Sequence, residues 1–154
     1  MLDQNALDYV ASIGSAKNYA QVRDLFSSII SHAGFTAYGC TEMPGPAQRL
    51  DDCVLLNGWP AEWASRYFER GYVRSDPVVH YMRGRTEPYT WDQVQKQLPP
   101  RSDLSVMAEA TEFKMRQGLV VPIYGLESYT AMVTLSGDRV DGDPIRYADA
   151  VVVA

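Results

Sequence analysis

Residues 57–79 read NGWPAEWASRYFERGYVRSDPVV and place five aromatic rings within fourteen positions, just before an Asp-Pro pair. The five rings are those of Trp59, Trp63, Tyr67, Phe68 and Tyr72. Pro60 suits the start of a helix over 61–70, and a spacing of four residues puts Trp63 and Tyr67 on one face of that helix. Because core aromatics usually spread over all the elements that share a core, such crowding favours the wall of a cavity.

The polar atoms of this segment predict the chemistry of that cavity. A buried Trp N–H and a buried Tyr O–H each need a partner, and Asp76 would add a carboxylate acceptor within apolar walls. A ligand with an amide, a second carbonyl and an apolar body matches this inventory. Two structural alternatives stay open at this point. Asp76 before Pro77 is also a good helix N-cap, and Trp63 and Tyr67 could be ordinary core residues.

Composition restricts the classes of function. The 154 residues are enough for one domain; 46% are apolar, 21% are charged, and the net charge is −5. This acidity argues against nucleic-acid binding by this segment. The acidic N-terminus and the lack of a long apolar run argue against a signal peptide and a membrane span. Cys40 and Cys53 fit no zinc or redox motif and are interpreted as reduced, buried residues of a cytoplasmic protein.

No motif in the sequence indicates catalysis. The nucleophile elbow, the zinc-protease helix, the P-loop and the dinucleotide-binding glycines are all missing, and His32 and His80 stand alone. The acidic stretch 137–144, GDRVDGDP, lacks the spacing of a calcium loop. We therefore expect neither an enzyme nor a metal site, and no cofactor.

Hydrophobic periodicity predicts an α+β fold. Helices are expected over 3–13, 18–33, 61–70, 77–84, 102–117 and from Asp143-Pro144 to the end. Strands are expected over 35–43, 53–57, 88–91, 119–125 and 128–136. The last two strands are too closely connected to be parallel, so the sheet is expected to be antiparallel and to lie between helix layers.

The order of motifs along the chain resembles a known family. The first part is an aromatic residue before Pro, then W-x-x-x-Y, a spaced Tyr and D-P-V, at Trp59-Pro60, Trp63, Tyr67, Tyr72 and Asp76-Pro77-Val78. Three later stretches follow: PYTW ending at Trp91, QGLVVPIYG with Gly118, and MVTLS with Thr134. In this order, over about residues 20–145, the motifs resemble the autoinducer-binding domain of LuxR-type quorum-sensing transcription regulators.

The resemblance implies an α-β-α sandwich with a five-stranded antiparallel sheet and an N-acyl homoserine lactone as ligand. It implies that Trp63 donates to the lactone carbonyl, Asp76 accepts the amide N–H, and Tyr67 approaches the amide oxygen or the start of the acyl chain. Trp91 would pack against the lactone ring and Thr134 would offer a hydroxyl. The complete set of expected ligand-binding residues is Trp59, Trp63, Tyr67, Tyr72, Asp76, Val78, Trp91, Gly118 and Thr134.

Two departures from the family pattern affect these expectations. Trp59 stands where Tyr is usual, so a larger wall could shorten the acyl chain or change the ligand class. Family members continue into a helix-turn-helix domain, which 1–154 does not resemble, so promoter DNA would be bound only through a C-terminal domain absent from this chain. The resemblance also implies a homodimer. The alternative is a ligand-independent dimerisation module, a short member that inhibits full-length regulators by heterodimerising.

Overall fold

The computed structural model describes residues 4–45, 47–140, 150–151 and 154. Its α-helices are α1 (Gln4–Ile13), α2 (Tyr19–Ser31), α3 (Ala61–Glu69), α4 (Pro77–Tyr81), α5 (Trp91–Gln97) and α6 (Ser105–Ala110). Its strands are β1 (Ala37–Glu42), β2 (Val54–Asn57), β3 (Tyr89–Thr90), β4 (Gln117–Tyr124) and β5 (Thr130–Gly137). Short 3-10 turns follow several of these elements.

The five strands form one sheet in the order β2-β1-β5-β4-β3, and every neighbouring pair is antiparallel. In the register, Thr134 of β5 lies between Gly39 of β1 and Val120 of β4. The antiparallel pairing of β4 with β5 agrees with the prediction for the last two strands. The α+β prediction with a five-stranded antiparallel sheet is confirmed.

Helices cover both faces of the sheet, because successive strand residues point to opposite sides. One face, which we call the cavity face, contributes Ala37, Val120 and Met132 to a core shared with α3 to α6. The other face contributes Leu119, Val133 and Leu135 to a second core with α1 and α2. The layers are therefore helix, sheet and helix, and the aromatic segment lies on the cavity face.

Side-chain caps fix where several helices begin. The Asn18 side chain accepts from Gln21 N at 2.9 Å and so caps the start of α2, within the helix predicted over 18–33. At the start of α5, Gln93 N donates to Thr90 Oγ1 at 3.1 Å and Thr90 N donates back to Gln93 Oε1 at 2.8 Å. This reciprocal pair is a capping box.

The helix predicted over 102–117 is wrong at both ends. Helix α6 covers only Ser105–Ala110, and a 3-10 turn over Thr111–Phe113 follows it. Lys114 then adopts φ 60°, a left-handed conformation that stops the helix. β4 already begins at Gln117, so Gly118 is a strand residue and not the helix stop that the sequence suggested.

Other predicted boundaries also change. The strand predicted over 88–91 is confined to Tyr89–Thr90, because the capping box at Thr90 turns Trp91 into the first residue of α5. The helix predicted over 77–84 ends at Tyr81. The C-terminal helix predicted from 144 lies mostly outside the described residues, of which 150 and 151 are helical.

Candidate ligand-binding site

A small cavity lies between the cavity face of the sheet and helices α3 to α5. Its volume is about 50 Å³, well below the roughly 300–1,000 Å³ of small-molecule sites. Its lining residues are Thr41, Met43, Trp59, Tyr67, Asp76, Val78, Val79, Trp91, Met132 and Thr134. Six of the nine predicted ligand-binding residues therefore line one cavity, and their side chains leave little free volume in it.

The polar centre of the cavity is the pair formed by Tyr67 and Asp76. Asp76 is 8% exposed, and its Oδ2 accepts from the Tyr67 hydroxyl at 2.7 Å. Its Oδ1 accepts from Val78 N at 2.9 Å and so caps α4. The two readings of Asp76 that the sequence left open, helix cap and cavity residue, therefore hold together. Both oxygens keep further lone pairs for a ligand donor.

Burial alters the titration of both members of this pair. It raises the pKa of Asp76, although the hydrogen bonds from Tyr67 and Val78 act in the opposite direction. Burial and the neighbouring Asp76 charge raise the pKa of Tyr67 well above its ordinary value. Tyr67 is therefore a permanent hydroxyl donor at neutral pH, and protonation of Asp76 is easier than for an exposed carboxyl.

Two indole N–H groups beside this pair are unsatisfied. Nε1 of Trp59 and Nε1 of Trp91 are buried and have no hydrogen-bond partner in the part of the chain that is described. Trp59 lies over Gly39: a Cβ placed on that glycine would be 3.6 Å from Trp59 Nε1 and 3.2 Å from Thr134 Oγ1. The Thr134 hydroxyl donates only a long hydrogen bond, 3.4 Å, to Gly39 O. Trp59 and Thr134 thus present two polar groups close together.

Gly118 acts on the site through Trp91. A Cβ on Gly118 would lie 2.2 Å from Trp91 Cε2, so only glycine lets the indole lie flat against β4. Ser136 is the cross-strand partner of Gly118, is 1% exposed, and has a hydroxyl that finds no partner among the described residues. Gly118 itself does not line the cavity, and its part in the site is to position Trp91.

Trp63 and Tyr72 do not line the cavity in this structure. Trp63 is 2% exposed and packs between Tyr67, at a centroid distance of 5.7 Å, and Phe113, at 5.5 Å. The Tyr72 hydroxyl donates to Glu109 Oε1 at 2.8 Å, in a charged cluster that joins α3 to α6. The structure thus places Trp63 directly behind Tyr67 and turns the Tyr72 hydroxyl toward the surface.

Four lining residues were missed by the sequence analysis: Thr41, Met43, Val79 and Met132. The sequence pattern could have identified two of them, Thr41 and Met132. Thr41 and Met132 are cross-strand partners, and alternation along β1 and β5 puts them on the same face as Gly39 and Thr134. The predicted role of Thr134 therefore implied Met132 two residues earlier.

Two kinds of feature are absent from the described residues. No helix there is long and apolar enough to cross a membrane. No group of three or more His, Cys, Asp or Glu side chains there could hold a metal ion.

The comparison with protein families decides the affiliation of this fold and site. The sequence profile of the autoinducer binding domain matches residues 18–153. The chain belongs to the autoinducer binding domain family. The recognition of a LuxR-type domain from its motifs is thereby confirmed.

Relatives of this autoinducer binding domain are named as transcription regulators. The chain is 34% identical over 143 residues to the transcriptional activator protein BjaR1 of Bradyrhizobium diazoefficiens, covering 92% of this chain and 59% of that protein. It is 27% identical to the quorum sensing-dependent regulator RpaR of Rhodopseudomonas palustris, covering 92% of this chain and 58% of that protein. The chain thus spans about three-fifths of the length of these curated relatives.

Solved structures share the fold of this domain. The LuxR family transcription factor CepR2 of Burkholderia cenocepacia aligns with a TM-score of 0.73 at 20% identity, covering 97% of this chain and 88% of that chain. SdiA of Escherichia coli aligns with a TM-score of 0.70 at 13% identity, covering 96% of this chain and 63% of that chain. At these identities the likeness shows the fold.

Proposed function

We propose that this autoinducer binding domain binds an N-acyl homoserine lactone in the cavity between the sheet and α3 to α5. The observation that carries the proposal is the buried Asp76–Tyr67 pair, which lines the same cavity as Trp59 and Trp91, two residues whose indole N–H groups have no partner among the described residues. The ligand has what these groups lack. Its amide N–H suits the Asp76 carboxylate, and its carbonyl oxygens suit the N–H donors of Trp59 and Trp91.

The roles of the remaining residues follow from their positions. Tyr67 supports the Asp76 carboxylate and can share its hydroxyl with the amide oxygen of the ligand. Thr134, beside Trp59, offers a hydroxyl to the same oxygen or to a 3-oxo group. Trp63, which does not line the cavity, packs against Tyr67 and supports its position beside Asp76. Val78 and Met132 supply apolar contact.

Binding must enlarge the cavity, because about 50 Å³ does not hold a lactone ring with its acyl chain. Met43 and Met132 are suited to such movement, since unbranched thioether side chains repack at low cost. Each buried methylene of the acyl chain stabilises the complex by about 0.8 kcal/mol. We therefore expect the nearly closed cavity to open around the ligand.

In the whole protein we propose ligand-controlled transcription. Ligand bound only by the folded state stabilises it by mass action, by about 2.7 kcal/mol at a concentration 100 times the dissociation constant. A C-terminal DNA-binding domain, as expected for relatives named as transcriptional activators, would read this state as a cytoplasmic homodimer on promoter DNA. The domain would act as a sensor, without catalysis and without a cofactor.

Calorimetric titration of the purified chain tests the binding proposal directly. Butanoyl, hexanoyl and octanoyl homoserine lactones are titrated, and the melting temperature is recorded with and without each. We expect saturable binding and a rise in melting temperature. The matched controls are the corresponding N-acyl homoserines, in which the lactone ring is opened. They should bind much more weakly, because their additional carboxylate would be buried without a partner. No binding of any lactone would contradict the proposal.

One observation favours a second candidate, a ligand-independent dimerisation module. The cavity is small, and both Asp76 oxygens already accept hydrogen bonds within the chain. On this alternative the chain, purified without lactone, is a stable dimer whose melting temperature does not respond to any lactone. Native mass spectrometry separates the two functions, because a lactone adduct is expected only for the sensor.

A further inference from the structure

A large surface groove continues outward from the cavity; we call it the outer groove. Its volume is about 820 Å³. Its lining includes Met43, Val73, Arg74, Val79, Met82 and Arg83. Met43 and Val79 line both the cavity and the outer groove, so these two side chains form the partition between the spaces.

We infer that the outer groove holds the distal part of a long acyl chain, which leaves the cavity between Met43 and Val79. This inference rests on the proposed function, because it needs a ligand whose polar head lies at Asp76. The outer groove is about sixteen times larger than the cavity. An acyl chain too long for the cavity would therefore find free volume just past the partition. Met43 is a suitable gate, since a thioether side chain changes rotamer readily.

The lining of the outer groove suits an alkyl chain. Met43, Val73, Val79 and Met82 offer apolar surface, and Met82 is only 3% exposed although it borders the groove. Arg74 and Arg83 also line the groove. Their charges give no attraction to a neutral alkyl chain, but the methylene groups of the Arg side chains give apolar contact. Because the groove is open to solvent, each methylene there is buried less completely than inside the cavity.

A second groove beside the cavity is a poorer route for the chain. Its volume is about 650 Å³, and it shares only Tyr67 with the cavity, the residue that is bonded to Asp76. Five of its eleven lining residues carry charged side chains, of both signs: Arg49, Asp51, Glu69, Arg70 and Arg74. An alkyl chain in this second groove would displace water from the charged side chains and could not replace the hydrogen bonds that the water makes. The partition at Met43 and Val79 is therefore the favoured exit.

The test measures the affinity of lactones of increasing acyl-chain length for a variant whose outer groove is filled by a large side chain. Thr130 lines the outer groove but not the cavity, so Thr130→Trp fills the groove and leaves the polar head site untouched. We expect butanoyl homoserine lactone to bind this variant with unchanged affinity and dodecanoyl homoserine lactone to bind at least tenfold more weakly. Leu126→Trp is the matched control, because Leu126 is 90% exposed and outside the groove. Its chain-length profile should equal that of the unaltered chain.

A second variant and separate readouts keep the outcomes distinct. Gly45→Trp blocks the outer groove from another wall without touching the second groove or the cavity, and its affinity for the butanoyl lactone reports whether it is folded. Equal dodecanoyl affinity in both blocked variants and the unaltered chain would overturn the inference while the proposed function stands. A change in dimer dissociation, with ligand affinities unchanged, would also overturn it, because the groove would then seat a second copy. Absence of binding at every chain length would overturn the proposed function as well.

Discussion

Replacing Asp76 by Asn separates the two roles of this carboxylate. In the structure one oxygen caps α4 through Val78 N at 2.9 Å and the other accepts from the Tyr67 hydroxyl at 2.7 Å. Asn is as good an N-cap as Asp, and the Tyr67 hydroxyl can turn to accept from the new amide N–H. The variant therefore keeps its internal bonds but offers no charged acceptor to a ligand.

The expected loss follows from the strength of a charged hydrogen bond. Such a bond contributes about 1.5–3 kcal/mol, and 1.4 kcal/mol is a factor of ten in affinity. Asp76→Asn should therefore bind the lactone about ten- to a hundredfold more weakly. The melting temperature of the empty domain should not fall, because burial already disfavours the charged form of Asp76.

Calorimetry at equal protein concentrations, with differential scanning of the empty proteins, measures both effects. Asp76→Ala is the control, because it removes the cap as well and should destabilise the empty domain by about 1 kcal/mol. Wild-type affinity in Asp76→Asn would take the carboxylate out of the ligand site. A loss of stability as large as that of the Ala variant would show that charge, and not the cap geometry, holds the start of α4.

Three further predictions concern pH, packing and capping. Because burial raises the pKa of Asp76 in the folded state, its contribution to the free energy of unfolding increases as the pH falls from neutral toward the unfolded pKa. In denaturant titrations at several pH values, the free energy of unfolding of the unaltered chain minus that of Asp76→Asn should therefore increase as the pH falls, because the other carboxyl groups are common to both proteins. Gly118→Ala should destabilise the domain by about 1–3 kcal/mol through its clash with Trp91, whereas Gly14→Ala, with no atom within 4 Å, should show no clash penalty in the same denaturant assay. Asn18→Ala should cost about 0.5–2 kcal/mol in thermal unfolding, and Asn18→Asp, which restores the acceptor, should cost much less.

Local signals account for the part of the fold that the sequence predicted well. The helix over 18–33, the Asp76-Pro77 cap and the strand over 128–136 each depend on neighbouring residues, and the structure has a helix at Tyr19–Ser31, the cap at Asp76 and a strand at Thr130–Gly137. The helix over 102–117 failed because its end depends on Lys114 entering a left-handed conformation, which Gly or Asn usually signals. The Thr90–Gln93 capping box is a local sequence signal for the start of α5, and it ends the strand predicted over 88–91.

The site was predictable in its residue types and less so in their arrangement. The motif spacing selected Tyr67, Asp76 and Trp91 correctly as neighbours of one cavity. The direction of the Tyr72 hydroxyl could not be read, because its partner Glu109 lies 37 residues away. The volume of the cavity could not be read either, since it depends on how closely side chains from several separate segments approach one another.

Some polar groups of the cavity residues have hydrogen-bond partners and others do not, and this difference supports the proposal that the small cavity binds a ligand. Asp76 and Tyr67 satisfy each other in the empty domain, so the carboxylate does not force the site open. The indole N–H groups of Trp59 and Trp91 have no such partner in the described structure, and each buried unpaired donor costs about 1–3 kcal/mol. A ligand carbonyl that reaches either group removes that cost as well as adding a bond. On the proposed function, a lactone with two carbonyl oxygens would relieve this polar deficit, and that relief would offset part of the work of moving Met43 and Met132 aside.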